Sequence, residues 1–372
     1  MLQIPFSVFL AVQAASAPAK PTPESLVPQA TPELATAGPG WGFQYSPDGR
    51  QVAWLTVRDG KPLAPPGSRP LDVIIATIGE GPRARTLHPD ADWPDTTTCA
   101  PAWLPDGSAL LVAYAALFET DRRKTACVDL LPAKMGDAKQ QMRIDGARVE
   151  SLAVSRDGKH RAVLVHEGYS GGAPKALVLH IFDGAGAPLR KVTIPQEDQS
   201  RAAASISPDG TTACVATGVG LFVVGLTAGE PRKIADGGQV SILATRPSWS
   251  DDGKEVIAVA GGALVHASLE SGQIRQFALK EPTEGRPQDV VWLPGTRAAA
   301  AAVHATVKGG PAEPLVGAGR APKRGYVRLR LVDLDTGTHR PFPEIDAELA
   351  ERGRLSLPYV PRLSELMARP GR

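Results

Sequence analysis

One short segment recurs six times in this chain, and recurrence at a regular interval limits a fold more than any local preference does. The copies are YSPDGRQVAWLT (45–56), WLPDGSALLVAY (103–114), VSRDGKHRAVLV (154–165), ISPDGTTACVAT (206–217), WSDDGKEVIAVA (249–260) and a decayed WLPGTRAAAAAV (292–303). Their aligned glycines are Gly49, Gly107, Gly158, Gly210, Gly253 and Gly295, at intervals of 58, 51, 52, 43 and 42 residues. Strand-like segments repeating at about 40–50 residues are the spacing of small sheets set radially around an axis.

The chemistry of the repeat specifies a hairpin. Pro47 presets φ for the first central position of a type I turn, Asp48 tolerates the second, and Gly49 takes the positive φ that follows. The flanks GFQYS and QVAWLTV are β-prone and half apolar. A second apolar strand pair with a Gly-containing turn follows each hairpin, as in LVLHIFDGAGAPLRKVTI and VRLRLVDLDTGTHRPF. Two hairpins make four strands, and four strands make one blade. The sequence therefore predicts an all-β, six-bladed β-propeller of four-stranded antiparallel blades, whose closure protects the sheet edges. The slot before each turn holds Tyr45, Trp103, Val154, Ile206, Trp249 and Trp292. The large aromatics there are expected to pack between adjacent blades.

This combination, SPDG…VA followed by VDLDTG, resembles the TolB-type six-bladed propeller repeat, a relative of WD repeats, over residues 40–343. TolB-type proteins carry an α/β domain ahead of the propeller. Only about 40 residues precede the first repeat here, so the expectation is a propeller without that domain. The lipoprotein partner that the resemblance implies is for that reason not carried over.

Charge and cysteines narrow the partners. The 41 basic and 39 acidic residues leave a net charge of +2, which gives no overall field for nucleic acid or membrane. The basic run Arg320, Lys323, Arg324, Arg328 and Arg330 reads as a solvated loop and strand face. Cys99 is expected on the innermost strand of blade two, Cys127 on its third strand and Cys214 on the second strand of blade four. Two strand spacings, about 9.5 Å, exceed the Cα separation of a disulfide. Three free, mostly buried thiols follow, with no Cys-x-x-Cys and no His-Glu-x-x-His to suggest a metal.

The ends read differently. Residues 1–17 hold a short apolar core from Ile4 to Val12 followed by small residues, which resembles a secretory signal without its charged start. Residues 18–39 carry six prolines and suit a tether. Residues 344–372 form a C-terminal tail in which Asp346 is able to cap a short helix. The predicted location is the periplasm or the cell exterior, or the cytoplasm if the first segment is no signal. No membrane span and a monomer are expected.

Candidate chemistry is sparse. GYSGG (168–172) matches the nucleophile-elbow pattern, but strands lead both in and out of it, whereas the elbow needs a strand, a sharp turn and a helix. Ser170 is therefore read as a loop residue. Seven histidines, His88, His160, His166, His180, His266, His304 and His339, show no ligand spacing. Innermost-strand residues near the axis include Thr98, Glu150, Arg246 and Asp289. Long loops, 58–70, 115–125, 166–175 and 308–325, fall on the face opposite the Pro-Asp-Gly turns, in blades one, two, three and six. Trp93, on the link between blades one and two, is a candidate anchor beside them. The leading expectation is a non-catalytic scaffold without cofactor or metal, binding a protein or saccharide through Trp93, Glu150, Arg246 and Asp289. The alternative is a propeller enzyme, of the lactonase or polysaccharide lyase class, with acids at the channel mouth. A third is a structural module of an envelope assembly.

Overall fold

The computed structural model describes residues 40–47, 50–57, 71–77, 81–86, 101–117, 124–134, 137–168, 176–196, 202–236, 246–260, 262–279, 284–306 and 325–341. They form six antiparallel sheets of four strands, each drawn from one continuous stretch of chain. The first holds β1 (Gly40–Tyr45), β2 (Gln51–Val57), β3 (Leu71–Thr77) and β4 (Gly81–Thr86). The second holds β5 (Ala102–Trp103), β6 (Ala109–Leu117), β7 (Lys124–Pro132) and β8 (Lys139–Asp145). The third holds β9 (Ala147–Val154), β10 (His160–Glu167), β11 (Ala176–Asp183) and β12 (Pro188–Ile194). The fourth holds β13 (Ala203–Ile206), β14 (Thr212–Thr217), β15 (Gly220–Gly225) and β16 (Arg232–Asp236). The fifth holds β17 (Ser248–Trp249), β18 (Glu255–Ala260), β19 (Ala263–Ser268) and β20 (Ile274–Phe277). The sixth holds β21 (Glu284–Trp292), β22 (Ala298–Thr306), β23 (Gly325–Asp333) and β24 (His339–Pro341). No helix occurs among the described residues, and so none is long and apolar enough to cross a membrane.

Burial explains the composition of the strands. A sheet covered on both faces needs continuous apolar sequence, and the six interior residues of β10 and of β11 are all buried. The outer strands β12 and β20 alternate or lie exposed. Successive sheets share apolar joints. Ala53, Val73 and Ile75 meet Trp103, Leu110 and Val112 between the first and second. Leu164, Leu179 and Ile181 meet Val215, Phe222 and Val224 between the third and fourth. Ile257 and Leu264 meet Val290, Trp292 and Val332 between the fifth and sixth. Each fully buried Leu or Ile contributes about 1.5–3 kcal/mol, and Leu179→Ala would remove about 2–5 kcal/mol. Trp103, Trp249 and Trp292 are buried as expected of their slot.

The hairpin turns take the predicted form. Gly107, Gly158, Gly210 and Gly253 have φ between 68° and 71°. In the third sheet Gly158 N donates to Ser155 O (2.9 Å), and Ser155 Oγ donates to Asp157 Oδ1 (2.7 Å). Asp157 also accepts from Lys159 N (3.0 Å), and Ser155 Oγ accepts from His160 N (2.9 Å). The fourth and fifth sheets repeat this with Ser207–Asp209 and Ser250–Asp252. The sixth departs from it. Thr296 N donates to Leu293 O (3.2 Å), which puts Gly295 (φ 72°) one position earlier in the turn. Proline then glycine at the two central positions is a type II turn. The aligned glycine of the decayed copy thus serves a different turn. Gly49 lies outside the described residues.

These turns sit against one another on a single face. A Cβ on Gly158 would lie 3.4 Å from Pro105 Cδ of the preceding sheet, and one on Gly253 3.5 Å from Pro208 Cδ. On Gly210 it would lie 3.4 Å from Asp157 Oδ1. Gly295 N donates to the Asp251 carboxylate.

Candidate functional site

Serines on the first strands tie the third sheet to the fourth, the fourth to the fifth and the fifth to the sixth. Ser151 Oγ accepts from Ala204 N (3.1 Å) and donates to Ala204 O (3.3 Å), joining β9 to β13. Trp249 Nε1 donates to Ser205 Oγ (2.9 Å), joining β17 to β13. Trp292 N donates to Ser248 Oγ (2.8 Å), joining β21 to β17. Three of the predicted site residues lie on or beside these strands.

Glu150 is displaced from the regular ladder. Ser151 pairs with Leu164 and Val149 with Val165, so Glu150 is the extra residue of a β-bulge. β21 is irregular at the same level, between Pro287 and Asp289. The Glu150 carboxylate does not stand open. Its Oε1 accepts from Arg148 Nε (2.7 Å) and Nη2 (2.5 Å), and His166 Nε2 lies 3.8 Å away. The Glu150 side chain is only 4% exposed and that of His166 2%. Arg148 stands only two residues from Glu150 in the chain, so Arg-x-Glu was the sequence signal for this pair.

Asp289 is buried on β21, and its Oδ1 accepts from Val290 N (3.0 Å). Arg246 is half-buried, two residues before β17. Each stands three residues before the buried tryptophan that precedes its turn, Trp249 or Trp292. Trp93 and Thr98 lie outside the described residues, as do Ser170 and most of the four long loops. Ala115–Leu117 and Lys124–Thr125 belong to β6 and β7, which shortens the second loop to 118–123. The described strands on either side of Ser170, β10 and β11, pair antiparallel up to Glu167 and Ala176.

Two contacts between a buried histidine and a glutamate join neighbouring strands of one sheet, β10 and β11 in the third and β18 and β19 in the fifth. His180 Nε2 is 2.7 Å from Glu167 Oε1, and His266 Nε2 is 3.2 Å from Glu255 Oε2. Burial holds both imidazoles below the ordinary histidine range, against the opposing pull of their glutamates. Tyr114 Oη donates to Asp129 Oδ2 (2.7 Å) inside the second sheet, where both residues are fully buried. Burial drives the Tyr114 pKa upward and pushes the nearby Cys127 thiol up to about 12. Cys127 and Cys214 are free and buried on the strands expected of them, which fits inert packing. Cys99 lies outside the described residues. Among the described residues no three His, Cys, Asp or Glu side chains group as metal ligands.

The outer strands hold residues that sequence reasoning missed. Arg190 on β12 donates to Gly225 O (3.2 Å) and Gly229 O (2.8 Å) in the next sheet. Arg275 on β20 does the same to Leu334 O (3.4 Å) and Asp335 O (3.0 Å). These clamps are structural, and the only sequence signal is an arginine recurring after the second turn of a repeat.

No family model matches the sequence. No curated protein matches it either. Solved structures do. TolB from Acinetobacter baumannii is 16% identical, with a TM-score of 0.43 over 79% of this chain and 63% of that one. A prolyl endopeptidase is 15% identical, with a TM-score of 0.53 over 88% of this chain and 43% of the other. The β-propeller domain of the Trilobed protease from Pyrococcus furiosus is 12% identical, with a TM-score of 0.50 over 82% and 85%. This chain therefore spans less than two thirds of the TolB and prolyl endopeptidase chains. Four-stranded antiparallel sheets, joined in chain order through their inner strands, are the architecture of the β-propeller proteins, and that is the fold of this chain.

Proposed function

We propose that the chain is an exported, non-catalytic binding scaffold. Its six sheets serve as the blades of a ring spanning residues 40–343, and the loop-rich face holds a protein or a saccharide. Residues 1–17 act as the signal, 18–39 as the tether and 344–372 as a tail, and the working form is a monomer in the periplasm or outside the cell. The observation that carries the reading is the state of Glu150. A general acid or base must reach its substrate, whereas this carboxylate is held by Arg148 and almost fully covered. Binding then falls to the loops and Trp93, with Arg246 and Asp289 contributing at the axial mouth. What favours the enzyme alternative is the irregularity of β9 and β21 beside Glu150 and Asp289, because bulges often re-aim side chains at active sites.

The test uses three proteins: the wild type, a variant with 309–322 replaced by a short turn, and Trp93→Ala. Each is presented to envelope extract and to an array of saccharides. The expected result is a ligand held by the wild type and lost from both variants, with unchanged melting temperatures. Equal binding by all three would overturn the assignment of that face. Turnover of a lactone or polyuronate, abolished by Asp289→Asn in a protein that still melts normally, would favour the enzyme.

A further inference from the structure

Beside the apolar packing of the joint between the fifth and sixth sheets lies one carboxylate oxygen with two claimants. Glu255 Oε2, at the start of β18, accepts from Arg297 Nη1 of the sixth sheet and contacts His266 Nε2 (3.2 Å) on β19. Arg297 continues the chain of contacts, donating Nε (3.1 Å) and Nη2 (3.0 Å) to Asp335 Oδ1. Its guanidinium also lies 5.5 Å over the Trp292 ring. Arg275 reaches the same hairpin through Asp335 O. His266 is 5% exposed, stacked on Phe277 (6.3 Å) and edge-on to Trp292 (5.6 Å).

The protons follow from this geometry. Glu255 is the acceptor at Nε2, so the neutral ring carries its hydrogen there. Nδ1 is buried with no hydrogen-bond partner. A second proton would have to enter at Nδ1 as a donor without an acceptor, and the new cation would stand near Arg297 and Arg275 with Glu255 already shared. The groups facing the ring are Glu255 from β18, Arg275 from β20 and Arg297 from the β21–β22 turn, with Asp335 beyond it.

We propose that Glu255, His266 and Arg297 form an acid-sensitive latch that loosens the joint between the fifth and sixth sheets when His266 takes up a proton. Neutral His266 lets Arg297 hold Glu255 across the joint. Charged His266 competes for the same oxygen and loads a buried apolar stack with charge. The lowered affinity of His266 for protons, caused first by burial and reinforced by Arg297 and Arg275, is consistent with this. Sheets packed by apolar surface alone would not respond in this range.

The test is hydrogen–deuterium exchange at pH 7.5 and pH 5, corrected for intrinsic rates, on the wild type, His266→Phe and His180→Phe. Phenylalanine keeps the ring stack and removes the titration. The expected result is at least a tenfold loss of protection at pH 5 in 263–268 and 284–292, present in the wild type and His180→Phe and absent from His266→Phe. The same loss in His266→Phe, or a loss spread evenly over all sheets, would overturn the proposal. NMR titration of the wild-type His266 ring decides the matter without any variant. Its midpoint should fall below the ordinary 6.5 or so and coincide with the exchange step, and a midpoint at or above that value refutes the latch.

Discussion

Replacing Gly210 by valine tests the turn geometry and the turn-to-turn packing at once. Gly210 has φ +69°, a region where an ordinary side chain costs about 1–2 kcal/mol. A β-branched residue is a stronger outlier there, with strain of about 1–3 kcal/mol. Space adds a second contribution. The Cβ itself would meet Asp157 Oδ1 at 3.4 Å and Ser155 Cβ at 3.6 Å, so the two methyls of valine press on the neighbouring turn. Gly229 supplies the control. It has φ +91° in the β15–β16 turn, and a Cβ there meets nothing within 4 Å. Gly229→Val should therefore lose only the backbone contribution, about 1–3 kcal/mol. Gly210→Val should lose about 1 kcal/mol more, on the scale of modest overpacking. At roughly 1–2 °C per kcal/mol for a chain longer than 250 residues, the two melting temperatures should differ by about 1–2 °C, and denaturant titration should order them the same way. Equal losses would show that the turns do not press on one another, and a loss below about 0.5 kcal/mol for Gly210→Val would refute the positive-φ reading itself.

Further outcomes follow from the turn and the core. The Asp209 carboxyl is held below its usual range, chiefly by the Ser207 hydroxyl and then by Thr211. Its folded pKa is depressed, so its contribution is present above about pH 4 and lost as pH falls through the folded value. Asp209→Asn should accordingly be less stable than wild type at pH 7, and the gap should close in acid; a gap that widens on acidification refutes the assignment. Tyr114→Phe removes the hydrogen bond to buried Asp129 and should cost about 1–3 kcal/mol at neutral pH by denaturant titration, whereas a neutral or stabilising result would show that Asp129 is satisfied without it.

The parts of the fold that were legible in the sequence are those that depend on neighbours in the chain. Asp-Gly turns impose their own dihedrals, with proline ahead of the pair at Gly107 and Gly210 but not at Gly158 and Gly253, so all four positive-φ glycines are legible from local sequence. Strands buried on both faces announce themselves as continuous apolar runs, as in β10 and β11. Contacts between sheets were not legible. Ser151, Ser205 and Ser248 read as ordinary small polar residues, and their partners lie 44 or more positions away. Alternation in the sequence aims Glu150 toward the axis, but it carries no sign of the bulge at Glu150 or of the bond from Arg148. Gly295 was aligned by letter with the other glycines, yet Pro294 before it supports a turn with the positive φ one place earlier. Trp93 gained no structural account, since it lies outside the described residues.

Among the described residues every sheet completes its own four-strand ladder before the next begins. The same partition makes the four-strand segment a unit of inheritance. A gene could gain or lose one by duplication or deletion in frame while leaving each remaining sheet whole.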